Sequence, residues 1–216
     1  EILRGKHLQD GTVTPHDWLH FVISLLCHDI GYVKGICQHD DPGDRRYAVG
    51  VGDDLVQLPA GATDASLTPY HVDRGQRFIE ENFANQHLID IEQIKQNIEL
   101  TRFPAPSAAP YQDTASYAGL TRAADLIGQL SDPRYLQKIP ALFYEFEETG
   151  ATQALGYRHP DDLRAGYPRF YNTVVLPYVK DGLRHLSATH EGRQILAYLH
   201  TNLMDAERPA AVSAAA

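Results

Sequence analysis

The chain has 216 residues, 43% of them hydrophobic, which is enough for one globular domain with a buried core. Its 28 acidic and 19 basic residues give a formal net charge of -9, which argues against nucleic acid as the main partner. No apolar run approaches the ~20 residues of a membrane span, and two cysteines make no disulfide framework, so we expect a cytoplasmic protein without a membrane partner.

The first predicted elements are two helices. Residues 1–9 read as the end of a helix that stops at Gly11, and the lack of a start signal leads us to expect more chain upstream of Glu1. Thr14 and Pro15 then form the cap-and-proline signature of a second helix start. Helical spacing predicts a buried face on this helix, made by Trp18, Phe21, Val22, Leu25 and Leu26.

The second helix runs into a His-Asp pair, His28 and Asp29, followed by Gly31. Asp29 continues the apolar row, so its carboxylate is predicted to point toward the core. An ionised carboxylate beside an imidazole at the end of a core helix is costly unless it is paired or bound to a cation. We therefore expect a divalent metal if other His and Asp side chains converge there. The alternative is a helix cap with a buried hydrogen bond.

The next region, residues 35–67, is rich in Gly, Asp and Pro and contains two strand-like pieces. They predict a small β-hairpin insertion around 45–60, within a loop that forms a lid or a substrate wall. Thr68 and Pro69 repeat the helix-start signature, with His71 in the first turn of the new helix.

Further helices are predicted at 88–100, 113–130, 131–148, 160–186 and 189–206, so the chain is expected to be all-α apart from the hairpin. On the helix at 113–130, Asp125 shares a face with the small residues Ala118, Thr121 and Gly128. Small residues allow close packing, so Asp125 is predicted to lie in a closely packed region. We predict one domain over residues 1–206 and a disordered tail at 207–216.

Three segments resemble the HD-domain superfamily of metal-dependent phosphohydrolases, whose ordered signature is His, then His-Asp, then a distant Asp. They are Leu25–Gly31, similar to the central motif, Tyr70–Gly75, similar to the intermediate helix, and Arg122–Ile127, similar to the final Asp helix. The resemblance covers roughly residues 1–135 and implies an HD-domain-like helical bundle.

The resemblance also implies a metal centre for a divalent ion (Mn, Fe, Mg, Co, Ni or Zn). Its ligands would be His28, Asp29 and Asp125, with Asp29 bridging if two metals bind and His71 as a ligand of the second metal or a phosphate contact. The first His of the family signature would be His7 or a residue upstream of Glu1. The alternatives are a salt bridge from Asp125 to Arg122 and a solvent-facing His71.

Two basic residues are candidates for contacting the substrate phosphate. Arg102 stands where a helix meets a proline-rich loop, and an Arg side chain can bind phosphate through two N–H groups. Lys34 lies just after the His-Asp motif, although many family members have Lys at the position of Tyr32. His16 and His20 mimic a zinc-protease spacing, but we expect both to be structural or exposed.

The sequence thus predicts a metal-dependent phosphohydrolase or phosphodiesterase that uses metal-activated water on a small phosphate ester, in the first instance a nucleotide. The alternative is a degenerate HD domain that binds a nucleotide or a protein, favoured by missing family histidines near residues 101–104. An iron-dependent oxygenase on the same scaffold would need more histidine ligands than this sequence offers. The protein could also form a homo-oligomer.

Overall fold

The computed structural model describes residues 1–208 and is mostly helical, with one two-stranded antiparallel sheet. Its helices are α1 Ile2–Asp10, α2 Pro15–Cys27, α3 His71–Phe83, α4 Ile91–Glu99, α5 Tyr117–Leu130, α6 Tyr135–Glu148, α7 Ala151–Leu155, α8 Pro160–Phe170, α9 Leu176–Leu186 and α10 His190–Glu207. The strands are β1 Arg46–Ala48 and β2 Leu55–Gln57, paired with Tyr47 opposite Val56. The predicted all-α class with a hairpin within 45–60 is confirmed. Of the tail predicted at 207–216, Glu207 ends α10 and Arg208 caps it, and residues 209–216 lie outside the described residues.

The start of α2 is set by hydrogen bonds that cap its first turn. Thr14 accepts a hydrogen bond from the Asp17 N–H at 3.2 Å, and Asp17 accepts the Thr14 N–H at 2.8 Å, which closes the capping box of α2. The predicted start at Thr68 and Pro69 is wrong, because α3 begins at His71. The Thr68 hydroxyl donates back to the Ala65 carbonyl at 2.6 Å and therefore does not cap the helix that follows.

Helix α5 runs through the main hydrophobic core, which it shares with α1, α2, α9 and α10. Leu120, Ala123 and Ile127 of α5 are fully buried there. A second apolar cluster joins α3 to α4 through Val72 and Ile98. Helix α2 packs against both α4 and α5, so its C-terminal end lies where the two clusters meet.

The predicted buried face of α2 is only partly correct. Phe21 is buried, but Leu26 is 76% exposed and Trp18 and Val22 are also exposed. The buried residues beside Phe21 are polar instead, namely His20 and Ser24. Hydrophobic spacing alone therefore misplaces the face that this helix turns toward its neighbours.

These polar residues are buried because α4 and the loop before it satisfy them. His20 Nε2 accepts the Asp90 N–H at 2.7 Å, and the Ser24 hydroxyl accepts an N–H from Asn97 at 3.0 Å. A buried polar group that is hydrogen-bonded in this way costs little. His20 is structural, as the sequence predicts.

Arg74 of α3 forms hydrogen bonds with the loop around the hairpin, and its side chain is fully buried. Its guanidinium donates to the carbonyls of Gly31, Val33 and Ala48 at 2.6, 3.0 and 2.6 Å. It also donates to both carboxylate oxygens of Asp40 at 3.0 and 2.9 Å. One side chain therefore connects α3 to three separate points of the loop.

Asp40 completes this connection from the loop side, with its side chain only 1% exposed. It accepts the N–H groups of Gly35 and Ala48 at 2.9 and 2.8 Å. Burial raises the pKa of Asp40, but the Arg74 guanidinium and the backbone donors outweigh burial and lower the pKa overall. Because a charged, fully bonded pair holds the loop closed, we interpret the loop as a fixed wall and not as a lid.

Among residues 1–208, no helix combines the length and the apolar character needed to cross a membrane.

Candidate functional site

The site is built around His28, the residue that caps the C-terminal end of α2. Its Nδ1 lies 2.8 Å from the Leu25 carbonyl oxygen. A carbonyl can only accept, so Nδ1 carries the proton of the neutral ring and Nε2 carries the lone pair. This kind of backbone bond fixes the ring and is common in histidines that bind metals.

His28 Nε2 faces two carboxylates. It lies 3.2 Å from Asp29 Oδ2 and 3.3 Å from Asp125 Oδ1, yet this buried nitrogen has no hydrogen-bond partner within the described residues. A lone pair directed at two anions is repelled unless a cation, either a proton or a metal ion, lies between them. Burial lowers the pKa of His28, but contact with the Asp125 and Asp29 carboxylates outweighs burial and raises it to about 10.

The spacing of these atoms is also that of ligands around one metal. Two ligands bound at about 2.1 Å with angles between octahedral and tetrahedral are about 3.0 to 3.4 Å apart. The distances from His28 Nε2 to Asp29 and Asp125 fall in this range. As the side chains stand, no group of three or more His, Cys, Asp or Glu residues in positions 1–208 could hold a metal ion. His28, Asp29 and Asp125 nevertheless have donor atoms of the kinds that bind divalent metals, and the orphaned nitrogen of His28 faces both carboxylates.

Asp29 does not point into the core as the sequence predicts, because its side chain is 60% exposed. Helix α2 ends at Cys27, so Asp29 no longer follows the helical row of apolar residues. Partial loss of solvent around its carboxylate raises the pKa of Asp29, but contact with the charged His28 ring outweighs this and lowers the pKa. The Asp29 carboxylate is therefore ionised and accessible to solvent.

His71 opens α3 and lies beside this cluster. Its Nδ1 lies 2.7 Å from the Thr68 carbonyl oxygen, so it too donates to the backbone and leaves Nε2 with the lone pair. Burial lowers the pKa of His71 and outweighs the hydrogen bond to Thr68 and the charge of Asp29, which raise it, while the charges of Arg102 and His28 lower it further. His71 is thus half-buried and neutral, which excludes the solvent-facing alternative.

Tyr32 forms a wall of the site that sequence reasoning missed. Its ring stacks on His71, with centroids 4.3 Å apart and planes inclined by 15°. Burial is the main reason that the pKa of Tyr32 is raised, and the carboxylates of Asp29 and Asp125 add to it. The only sequence signal was its place directly after the Ile-Gly of the His-Asp motif.

The alternative for Asp125, a salt bridge to Arg122, is not found. Arg122 is buried and donates to the carbonyls of Tyr111 and Asp113 at 2.6 and 2.7 Å. Its guanidinium also lies 4.3 Å from the centre of the Tyr178 ring. Asp125 is left facing His28, which lies 97 positions earlier in the chain.

The two basic candidates already have protein partners. Arg102 donates to both Asp73 oxygens at 3.1 and 2.8 Å and to Glu99 at 2.9 Å. Lys34 donates to the Ala62 carbonyl at 2.7 Å and lies 3.5 Å from Asp64. The charge of Arg102 contributes to the lowered pKa of His71. Contact of either side chain with a phosphate stays a prediction.

His7, the candidate for the first family His, lies exposed in the last turn of α1. It is not among the groups that contact His28 or Asp125. The role of His7, like that of a residue upstream of Glu1, stays a prediction.

Replacing Gly31 with alanine is expected to separate the two halves of the site. A Cβ at Gly31 would lie 1.9 Å from the His71 carbonyl oxygen, so α3 would have to move away from the His-Asp segment. We expect Gly31→Ala to lower the free energy of unfolding by about 3 kcal/mol, measured by urea denaturation.

Gly75→Ala is the matched control for this prediction. A Cβ at Gly75 meets its nearest atom, the His28 carbonyl oxygen, at an ordinary 3.5 Å. Within α3, alanine is expected to be neutral or stabilising by about 0.5–1 kcal/mol. Equal stability of the two variants would show that α3 does not pack against Gly31 this closely.

A family model described as Npun_R2479-like matches residues 1–209 of the chain. No curated protein and no solved structure matches the chain.

Proposed function

The chain belongs to the Npun_R2479-like family, and we propose that it is a metal-dependent hydrolase of small phosphate esters, with a nucleotide as the first substrate to test. One observation supports this above all. A buried imidazole nitrogen without a hydrogen-bond partner faces two carboxylates at metal-ligand spacing. The resemblance of Leu25–Gly31, Tyr70–Gly75 and Arg122–Ile127 to the HD-domain superfamily supports the same proposal.

Each residue has a role in this proposal. His28, Asp29 and Asp125 hold a divalent cation, which supplies activation of water and neutralisation of phosphate charge when bound. His71 presents its unprotonated Nε2 beside them as a further ligand or as a phosphate contact. Four of the five N–H groups of Arg102 donate to Asp73 and Glu99, which leaves one N–H of Nη1. In this proposal, that N–H donates a hydrogen bond to one oxygen of the substrate phosphate.

The test is turnover by the full-length protein after metal removal with a chelator. Mn²⁺, Mg²⁺, Co²⁺, Ni²⁺, Zn²⁺ and anaerobic Fe²⁺ are added back singly, and phosphate release is measured from nucleoside monophosphates and phosphodiesters. We expect turnover only with metal and loss of turnover in His28→Ala. Absence of turnover with every metal, in protein that binds metal, would count against the proposed activity.

A non-catalytic binding module is the second candidate, and one observation favours it. Both basic candidates are already bonded to acidic side chains, Arg102 to Asp73 and Glu99 and Lys34 to Asp64. A phosphate would have to compete with these partners. Metal content distinguishes the candidates, because a degenerate domain is expected to purify without a metal and to gain none on dialysis against one.

A further inference from the structure

A groove of about 270 Å³ lies between α5 and α6. Its volume is close to the lower end of the range for small-molecule sites, about 300 Å³. Tyr135, Ile139 and Leu142 of α6 form its apolar side. Gln129 of α5 adds a side-chain amide, which can donate and accept hydrogen bonds. The lining therefore offers an apolar surface with one neutral hydrogen-bonding edge.

The groove begins next to the candidate metal centre. Gln129 lies four residues after Asp125 on α5, which is about 6 Å along the helix axis. On α6, Glu145 is part of the lining of the groove. Residues four apart lie on the same face of a helix, so the groove begins about one helical turn from the carboxylate that faces His28.

The charges around the groove make it unsuited to a second phosphate. Lys138, the lysine of its lining, forms an ion pair with Asp132, so its charge is compensated. Glu145 adds a negative charge to the lining. An anionic group is repelled there, whereas an uncharged ring can contact the apolar side and hydrogen-bond to Gln129.

We propose that the α5–α6 groove binds the uncharged alcohol part of the phosphate ester, a ring system of nucleoside size, while the phosphate lies at the metal centre. The role as a substrate pocket rests on the proposed function, but binding of an uncharged nucleoside does not require a metal. Groove binding can therefore be tested separately from hydrolysis.

The test measures binding of adenosine and uridine to metal-free protein by ligand-observed NMR. Ala141 is exposed and lines the groove, so Ala141→Trp fills the groove without disturbing the core. Gln137→Trp, at an exposed α6 position outside the lining, is the matched control. We expect binding by the unchanged protein, a loss of at least about tenfold in Ala141→Trp, and no change in Gln137→Trp.

His28→Ala separates the two proposals, because it removes the metal centre and leaves the groove. Nucleoside binding is expected to persist in His28→Ala, even though hydrolysis is lost. If neither nucleoside binds, or if Ala141→Trp binds as well as the unchanged protein, the groove proposal is overturned. If nucleosides bind in the groove but no ester is hydrolysed, the proposed function fails and the groove remains a ligand site.

Discussion

Asp125→Asn is expected to reduce metal-dependent kcat/KM by at least about 100-fold, since changing even outer-shell partners of a metal costs about 10- to 100-fold. Asparagine keeps the shape of the side chain but removes the charge that faces His28 Nε2 at 3.3 Å. Steady-state phosphate release and metal content of the purified variant are the two measurements. Loss of metal together with activity is expected, because neutral amides bind divalent cations weakly.

The same substitution has a readout that does not depend on catalysis. In metal-free protein the pKa of His28 is raised to about 10, with Asp125 and Asp29 both contributing against burial. Removal of one carboxylate is expected to move the pKa of His28 down toward its ordinary value, measured by NMR titration of the ring. Asp53→Asn, at a residue whose side chain is 92% exposed, is the control and is expected to change neither quantity. An unchanged His28 titration in Asp125→Asn would contradict the contact.

Arg74→Met is expected to lower the free energy of unfolding by about 3–5 kcal/mol, measured by urea denaturation. Methionine fills much of the same space but leaves Asp40 buried without its cation and leaves the carbonyls of Gly31, Val33 and Ala48 without this donor. We also expect the loop at 33–48 to become susceptible to limited proteolysis.

Arg46→Met is the control for the loss of an arginine from this region. Arg46 is half-exposed and contacts Asp41 and Asp44, so it should contribute about 1 kcal/mol or less. The double variant Arg74→Met with Asp40→Leu should be less destabilised than the sum of its single changes, because it leaves no unpaired buried charge. Additive losses would mean that Arg74 and Asp40 do not depend on each other.

Local signals were sufficient for much of the fold. The Thr14 and Pro15 start and the hairpin follow from capping and turn rules that act within a few residues. The helix predicted at 160–186 is helical throughout but is divided into α8 and α9 by a π-helical segment at Tyr171–Val175. The approach of His28 to Asp125 could not be derived from spacing, since 97 positions separate them. It was predicted because the motif order of a known superfamily carries that long-range information.

The remaining features depend on partners that are distant in sequence. The burial of His20 and Ser24 requires donors from Asp90 and Asn97, which hydrophobic periodicity does not represent. The pairing of Arg74 with Asp40 likewise spans 34 positions, and each residue alone reads as a solvated charge. Such pairs are decided by tertiary packing and not by local pattern.

The two candidate histidines have one feature in common that bears on the kinetics of metal exchange. Each donates Nδ1–H to a carbonyl only three residues earlier, Leu25 for His28 and Thr68 for His71. Their ring orientations are thus set by local backbone and exist before any cation arrives. Chelation is therefore expected to be reversible without unfolding, unlike in small zinc domains that fold only with their metal. Reloading must then displace the proton that His28 Nε2 carries in the metal-free protein, so it is expected to become faster as the pH rises.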